Sequence, residues 1–114
     1  MRLAGAARLF ACQALWRGLH LKSAGRALVN ALGADDEDLR VLAGMFLVRA
    51  GSLSVPLLRE ALMQRYHLPL VLQIIADMDA TEFEPELRRF ADDPDPHIAQ
   101  AAHHALRQLS GERK

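Results

Sequence analysis

Five histidines are the residues whose chemistry stands out first in this sequence, because imidazole is a common metal ligand. His97 and His104 are seven positions apart, which would place them on one helix face, whereas His103 and His104 would point about 100° apart. No pair has the i, i+4 spacing of a helical metal site, and the one cysteine, Cys12, is far away in sequence. We therefore predict no metal and no cofactor, and expect solvent-facing histidines on a capping helix.

A second group with ligand chemistry is acidic. Residues 77–95 contain eight acids: Asp77, Asp79, Glu82, Glu84, Glu86, Asp92, Asp93 and Asp95. A calcium loop that started at Asp77 would need glycine at its sixth position and glutamate at its twelfth, where this chain has Glu82 and Arg88. The pattern therefore does not predict calcium. Two interpretations stay open: helix caps with a solvated face, which we favour, or a docking patch for a basic partner segment.

The candidate nucleophiles lack the neighbours that would activate them. Cys12 stands in an apolar, alanine-rich stretch with no histidine or acid beside it, which predicts a buried structural thiol. Ser52 and Ser54 lack the strand–turn–helix context of a nucleophile elbow, and the chain has no glycine-rich phosphate loop. We therefore predict no catalytic residue and expect that the protein is not an enzyme.

Charge and composition limit the class of partner. Lysine and arginine number 14, as do aspartate and glutamate, so no net field recruits nucleic acid or a membrane surface. No apolar run in the sequence looks long enough to cross a bilayer, so no membrane partner is expected. The single cysteine fits a reducing compartment, and we expect a cytoplasmic protein.

The positive charge is nevertheless uneven along the chain. The N-terminal half carries Arg2, Arg8, Arg17, Lys22, Arg26, Arg40 and Arg49. These residues are spaced too irregularly for a phosphate track, and the acids of 35–38 lie among them, so nucleic-acid binding is disfavoured. The contrast with the acidic C-terminal half is compatible with head-to-tail self-association.

The placement of proline, capping residues and apolar residues predicts helices throughout the chain. Pro94 and Pro96 end any preceding helix, Asp95 is a good N-cap, and Pro96 fits the first turn of a new helix. An apolar stripe at helical spacing then follows: Ile98, Ala101, Ala102, Ala105, Leu106 and Leu109. The sequence therefore predicts a capped amphipathic helix that ends near 109.

The same frame occurs earlier in the chain at a constant offset of 59 positions. Asp36 matches Asp95, Leu39 matches Ile98, Leu47 matches Leu106 and Ala50 matches Leu109. A shorter motif precedes each copy: Leu28 and Leu32 match Leu58 and Leu62, with a weaker third copy at 85–90. Two units of about 30 residues fit the period of helical solenoids.

The rest of the chain divides into further helices between turn signals. We predict outer helices over 23–32, over about 54–66 with Ser54 as cap, and over 83–91 with Thr81 as a candidate cap. The inner helix over 39–50 should end at Gly51, and His67-Leu68-Pro69 should form a turn. The helix over 69–78 is apolar on nearly every side and should be buried.

This pattern resembles the HEAT repeat family, in particular the HEAT-like repeats first named for phycobilisome lyases. Those repeats run roughly as a VPALIEAL helix, a D-x-DP turn and a VRxAAAxALGxIG helix. Residues 95–106 and 36–51 match the second half, with Glu37 in place of the turn proline and Ala99 in place of the usual arginine. Arg40 keeps that arginine in the first copy.

The resemblance implies an all-α fold, namely a short right-handed α-solenoid of about three and a half HEAT-like helical hairpins. We expect one domain over 1–114, with a leading half-repeat at 1–20 and repeats at 24–51, 53–78 and 82–110. Residues 1–20 contain no acid, so an arginine-rich targeting segment stays open as the alternative to a half-repeat.

The function expected of such repeats is non-catalytic: a protein–protein interaction module or scaffold. The alternatives are an accessory protein or subunit of a HEAT-like bilin lyase or other HEAT-repeat enzyme, implied by the resemblance alone, and, less favoured, a nucleic-acid-binding module. The predicted partner-binding residues lie off the core stripe at equivalent places in the repeats: Val41, Met45, Val48, Arg49, Gln100, His104 and Arg107. The apolar N-terminal helix would close one end or present a face to a partner, including a second copy.

Overall fold

A computed structural model of the protein describes residues 3–19 and 22–111, and in these ranges every regular element is helical. The α-helices are α1 (Leu3–Leu19), α2 (Lys22–Asn30), α3 (Glu37–Ala50), α4 (Val55–Met63), α5 (Leu68–Asp77), α6 (Glu84–Ala91) and α7 (Pro96–Leu109). Short 3-10 helices lie at Ala31–Gly33, Gly51–Ser54 and Thr81–Phe83. The predicted all-α class is confirmed. Arg2, which is part of the predicted basic set, lies outside the described residues.

Helices α3 and α7 repeat each other in length, position and capping. Each has 14 residues, and their bounds keep the offset of 59 positions found in the sequence. The N-cap Asp36 has φ −81° and ψ 117°, and the N-cap Asp95 has φ −79° and ψ 116°. Each carboxylate accepts a hydrogen bond of 2.9 Å from the amide two residues on, in Asp38 and in His97. Both predicted caps are confirmed.

Two other predicted caps are wrong. Ser54 precedes α4, but its side chain makes no capping bond. Its hydroxyl instead donates to the Leu47 carbonyl oxygen at 2.6 Å and is fully buried. Thr81 opens a 3-10 turn, and α6 begins only at Glu84, with Pro85 in its first turn. Both errors arise because the hydroxyl groups were assigned from local sequence, whereas nearby carbonyls and turn geometry decide what a serine or threonine bonds to.

The turn between α4 and α5 comes earlier than predicted. Helix α4 ends at Met63, and Leu68 is buried inside α5 rather than in a turn. Arg65 and His67 both have positive φ, of 53° and 43°. These left-handed conformations, unusual for residues other than glycine, reverse the chain without the glycine signal on which a sequence prediction relies. Gly51, in contrast, ends α3 as predicted, with φ 60°.

The chain divides into two compact units, Met1–Gln64 and Arg65–Lys114. In the first unit, α1, α2 and α3 pack on one another. Gly5 of α1 lies against Leu39 of α3. Phe10, further along α1, lies against Phe46, further along α3. These two helices therefore run parallel, with α2 returning between them and Trp16 of α1 against Gly25 of α2.

The second unit repeats this arrangement with α5, α6 and α7, where α7 packs on both others. At the C-terminal ends of α5 and α7, the Gln108 amide donates to the Asp77 carboxylate at 3.2 Å. At their N-terminal ends, Arg65 pairs with Asp93. Helices α5 and α7 therefore also run parallel. The single-domain boundary and the solenoid stay predictions.

The core contains many of the residues that the sequence pattern marked. The repeated leucines Leu28, Leu32, Leu58 and Leu62 are buried, and so is Leu87 of the weaker third motif. Six of the ten residues of α5 are buried, which confirms the prediction for that helix. In α7, Ile98, Ala102 and Ala105 are buried along the predicted stripe.

One stretch, Glu37–Met63, is 27 residues long and apolar enough to cross a membrane by length and composition alone. This differs from the expectation that no run reaches such a length. Core helices of soluble proteins meet the same criterion, and here Gly51, with φ 60° and ψ −127°, interrupts the α-helix in the middle of the stretch. The absence of a membrane partner stays a prediction.

Candidate interaction surface

Helix α1 has apolar residues on all sides, so packing cannot bury them all. It buries Ala6, Leu9 and Trp16 against its neighbours and leaves Phe10, Leu15 and Leu19 exposed. Leu9 and Trp16 therefore belong to the core. Phe10 packs edge-on against Phe46 of α3, with ring centroids 5.0 Å apart, yet stays 54% exposed.

Helix α3 adds two exposed apolar side chains to the same unit. Val41 is 57% exposed and Met45 is 45% exposed, one turn apart on the side that α2 does not cover. Five of the six large hydrophobic side chains that are exposed among the described residues therefore lie on the adjacent helices α1 and α3; the sixth is Met63. We call the surface of Phe10, Val41 and Met45 the α1–α3 face.

The other predicted contact residues of α3 behave differently. Arg49 is exposed at the C-terminal end of the helix, whereas Val48 is half-buried and contributes less surface. Arg40, which occupies the arginine position of the repeat, is directed back to the turn before α3. Its guanidinium donates to the carbonyl oxygens of Ala34 and Asp35. The role of Arg40 is therefore to hold the turn.

The predicted contact residues of α7 lie in the second unit and are polar. Gln100, His104 and Arg107 occupy the positions of Val41, Met45 and Val48, and all three are exposed. At these positions α7 therefore presents polar side chains to solvent. The apolar set of α3 and the polar set of α7 belong to separate units.

An ion pair that the sequence does not predict holds the turn before α7. The Arg65 guanidinium bonds both oxygens of Asp93, at 3.0 and 3.2 Å, and lies 5.8 Å from the Phe90 ring centroid. Asp93 also accepts from the Asp95 amide at 3.0 Å, and its side chain is only 7% exposed. The bond from Arg65 and the Asp95 amide lower the pKa of Asp93, and Asp93 raises the pKa of Arg65.

The acids between 77 and 95 include several with structural partners. Asp77 accepts from Gln73 and Gln108, Glu84 pairs with Arg88 at 2.6 Å, and Asp93 and Asp95 hold the turn and cap of α7. These roles favour the interpretation as caps and a solvated face over a docking patch. Within the described ranges, no three histidine, cysteine, aspartate or glutamate side chains gather where a metal ion could bind.

Two of the grooves on the described surface lie beside residues that the sequence analysis singled out. One, of about 290 Å³, lies between α1, α2 and the start of α3; Arg8, Cys12, Asn30 and Leu39 are among the residues that line it. Cys12 is half-buried and lines this groove, so the prediction of a fully buried thiol is wrong. The other groove, of about 240 Å³, lies between α6 and α7 beside Arg88, His103 and Arg107.

Searches of protein-family models, curated proteins and solved structures find no match to this chain. The described residues offer an exposed apolar surface on two helices that pack on each other. The low amphipathicity of α1 is the sequence signal that points to Phe10, Leu15 and Leu19.

Proposed function

We propose that this protein is a non-catalytic interaction module of the HEAT-like type that binds a protein partner through the α1–α3 face. In this proposal the helix pairs form a short right-handed solenoid of about three and a half hairpins, and the protein works in the cytoplasm. The matched lengths and caps of α3 and α7 support a repeat architecture. The parallel course of α1 and α3 fits consecutive inner helices.

The observation that carries the proposal is the concentration of exposed apolar side chains on two adjacent helices. Phe10, Val41 and Met45 are each about half exposed although the same helices bury apolar residues elsewhere. Scattered exposed apolar residues are ordinary on a protein surface, but a contiguous apolar patch marks an interaction site. Two of its members, Phe10 and Met45, are of residue types that are enriched in protein interfaces.

The experiment that tests this function uses site-specific photo-crosslinking. A photoreactive phenylalanine analogue is placed at position 45 on α3 and, in a matched chain, at position 104 on α7, because Met45 and His104 are equivalent in the repeat. We expect discrete crosslinked protein species from position 45 in living cells and none, or far fewer, from position 104. Equal crosslinking from both positions, or none from position 45, would contradict the proposal.

A second variant checks that the crosslinking depends on apolar surface. Val41→Gln combined with Met45→His gives α3 the residues that α7 has at the same places, and these residues are exposed in both helices. Far-UV circular dichroism should remain that of the wild type, because neither position is in the core. With the photoreactive analogue at position 10, this double variant should lose the crosslinked species. The bilin-lyase and nucleic-acid alternatives stay predictions that no contact described here favours.

A further inference from the structure

We propose that the occupant of the α1–α3 face is a second copy of this chain, bound antiparallel about a two-fold axis. This inference rests on the proposed function of the face and names its partner. Three properties support it: the order of charges along α3, the parallel course of α1 and α3, and the size of the surface.

The charges along α3 are ordered from acidic to basic. Its first turn carries Glu37 and Asp38, its exposed middle carries Val41 and Met45, and its last turn carries Arg49. Positions 38, 41, 45 and 49 follow one side of a helix, since they are three or four residues apart. A copy that lies antiparallel places its own Arg49 over Glu37 and Asp38, and the reverse contact forms at the other end. A copy whose α3 lay parallel to this α3 would instead oppose acidic residues to acidic residues and Arg49 to Arg49.

The two-fold axis that makes the helices antiparallel also fixes which helices meet. An axis in the plane of the face and perpendicular to the helices places α3 against α3 of the other copy, and α1 against α1. Because α1 and α3 run parallel, their dipoles are aligned, and the antiparallel copy opposes both. An isologous contact of this kind closes on itself and produces a dimer rather than a fibre.

The size of the face predicts a weak dimer. Helix α1 has 17 residues and is therefore about 26 Å long, and two packed helices are about 20 Å wide. The contact would then bury on the order of 1,000 Å² in total, which is the lower limit for a specific interface. We therefore expect a dimer that dissociates reversibly in the micromolar range.

The first test measures mass against concentration by sedimentation equilibrium and light scattering, from about 1 to 500 µM. The wild type should change reversibly from monomer to dimer. Met45→His should raise the dissociation constant at least tenfold, whereas the matched exchange His104→Met on α7 should leave it unchanged. A wild type that is monomeric throughout would overturn the second copy as occupant. In that case a crosslinked partner at position 45 would still support the proposed function.

The second test exchanges the charges. Arg49→Glu alone, and Glu37→Lys with Asp38→Lys, should each weaken the dimer at least tenfold, and the chain that carries all three substitutions should regain it. Circular dichroism and the unfolding midpoint of each variant show whether α3 is still formed. A dimer whose dissociation constant is not changed by these substitutions would overturn the proposal, because it would have to use another surface.

The third test reads the orientation directly. In a Cys12→Ser background, chains with Val41→Cys are mixed with chains with Met45→Cys and oxidised. Antiparallel packing of α3 on α3 brings these two positions together, so we expect the mixed disulfide between them to form fastest. An axis along the helices would oppose α3 to α1 instead, and absence of the 41–45 disulfide in a dimeric sample would contradict the antiparallel arrangement.

Discussion

Helices α3 and α7 have the same backbone and different surfaces. Their lengths and N-cap torsions agree closely, and Ala43 and Ala102 are both fully buried at the same place. Where α3 exposes Val41 and Met45, however, α7 exposes Gln100 and His104. The buried half of the repeat is restricted by close packing, whereas the outward half is free to differ. The difference therefore carries information about function that the shared half does not.

The turns before the two helices are also held by different contacts. Before α3, Arg40 reaches back to the carbonyl oxygens of Ala34 and Asp35. The residue of α7 at the position of Arg40 is Ala99. The turn before α7 is held instead by Arg65, which pairs with Asp93. One arginine comes from inside the helix that it supports, and the other comes from a turn 28 residues earlier than its partner. The same turn geometry is thus reached by two different sets of contacts.

The largest contrast is expected in the core. Leu47 is fully buried, whereas its equivalent, Leu106, is half-buried. Leu47→Ala should lower the free energy of unfolding by about 2–5 kcal/mol because it leaves a cavity, and Leu106→Ala should cost about half as much. Urea unfolding followed by circular dichroism measures both. Equal costs would mean that the two equivalent positions are packed alike.

A second contrast concerns how closely the helices approach. A Cβ atom on Gly25 would lie 2.7 Å from Leu57 Cδ1 and 2.8 Å from Trp16 Nε1, and Trp16 is buried. Gly25→Ala should therefore destabilise the first unit by about 1–3 kcal/mol, read from the fluorescence of the single tryptophan. Gly18→Ala is the control, because nothing lies within 4 Å of that Cβ, and it should be neutral or slightly stabilising. A neutral Gly25→Ala would show that α1 and α2 can separate at no cost.

The N-caps of α3 and α7 should contribute equally to stability, although the exposed surfaces of the two helices differ. Asp36→Ala and Asp95→Ala each remove a hydrogen bond of 2.9 Å to the second amide of the helix. Each should cost about 1 kcal/mol of unfolding free energy, and the two values should agree within about 0.5 kcal/mol. Thermal and urea unfolding measure them, with Asp36→Asn and Asp95→Asn as conservative controls. If one of the two alanine substitutions left the free energy of unfolding unchanged, the two N-caps would not be equivalent.

The smallest effect is a pH dependence limited to the second unit. The folded state lowers the pKa of Asp93, chiefly through Arg65, so the pair stabilises the fold above the unfolded pKa, about 3.9. That contribution should be lost as the pH falls through the lower, folded value. The wild type should therefore be more stable than Asp93→Asn by a constant amount above about pH 5, and the difference should shrink below about pH 3.9. Asp92→Asn, which removes a neighbouring exposed carboxylate, should not reproduce this profile.

Much of the fold could be predicted from the sequence because the repeated residues act locally. Asp36 and Asp95 cap helices through atoms two residues away, and the repeated leucines recur at positions that only a buried helix face explains. Ser54 shows where local reasoning stops. Its hydroxyl had a helix start beside it, but the carbonyl oxygen of Leu47, at the end of the preceding helix, accepts its hydrogen bond. A one-dimensional pattern does not show which of two acceptors lies within reach.

The candidate surface could be predicted only in part. Val41, Met45, Gln100 and His104 were identified as outward-facing because they fall off the apolar stripe, and all four are exposed. Only the packing shows that Phe10 is exposed whereas Leu9 and Trp16 are buried. Helix α1 is apolar on every side, so its sequence does not indicate which face is covered. Arg65 was missed because its left-handed backbone and its pairing with Asp93 have no local sequence signal.

The helical class, the caps of α3 and α7 and the leucines of the core follow from the sequence because each depends on neighbours within one or two turns, and the repeat offset can be read from it directly. Packing between helices sets which side of α1 stays open, which carbonyl oxygen Ser54 bonds and which arginine holds each turn. Those outcomes depend on distances between residues far apart in the chain. Such distances are set only when the helices pack.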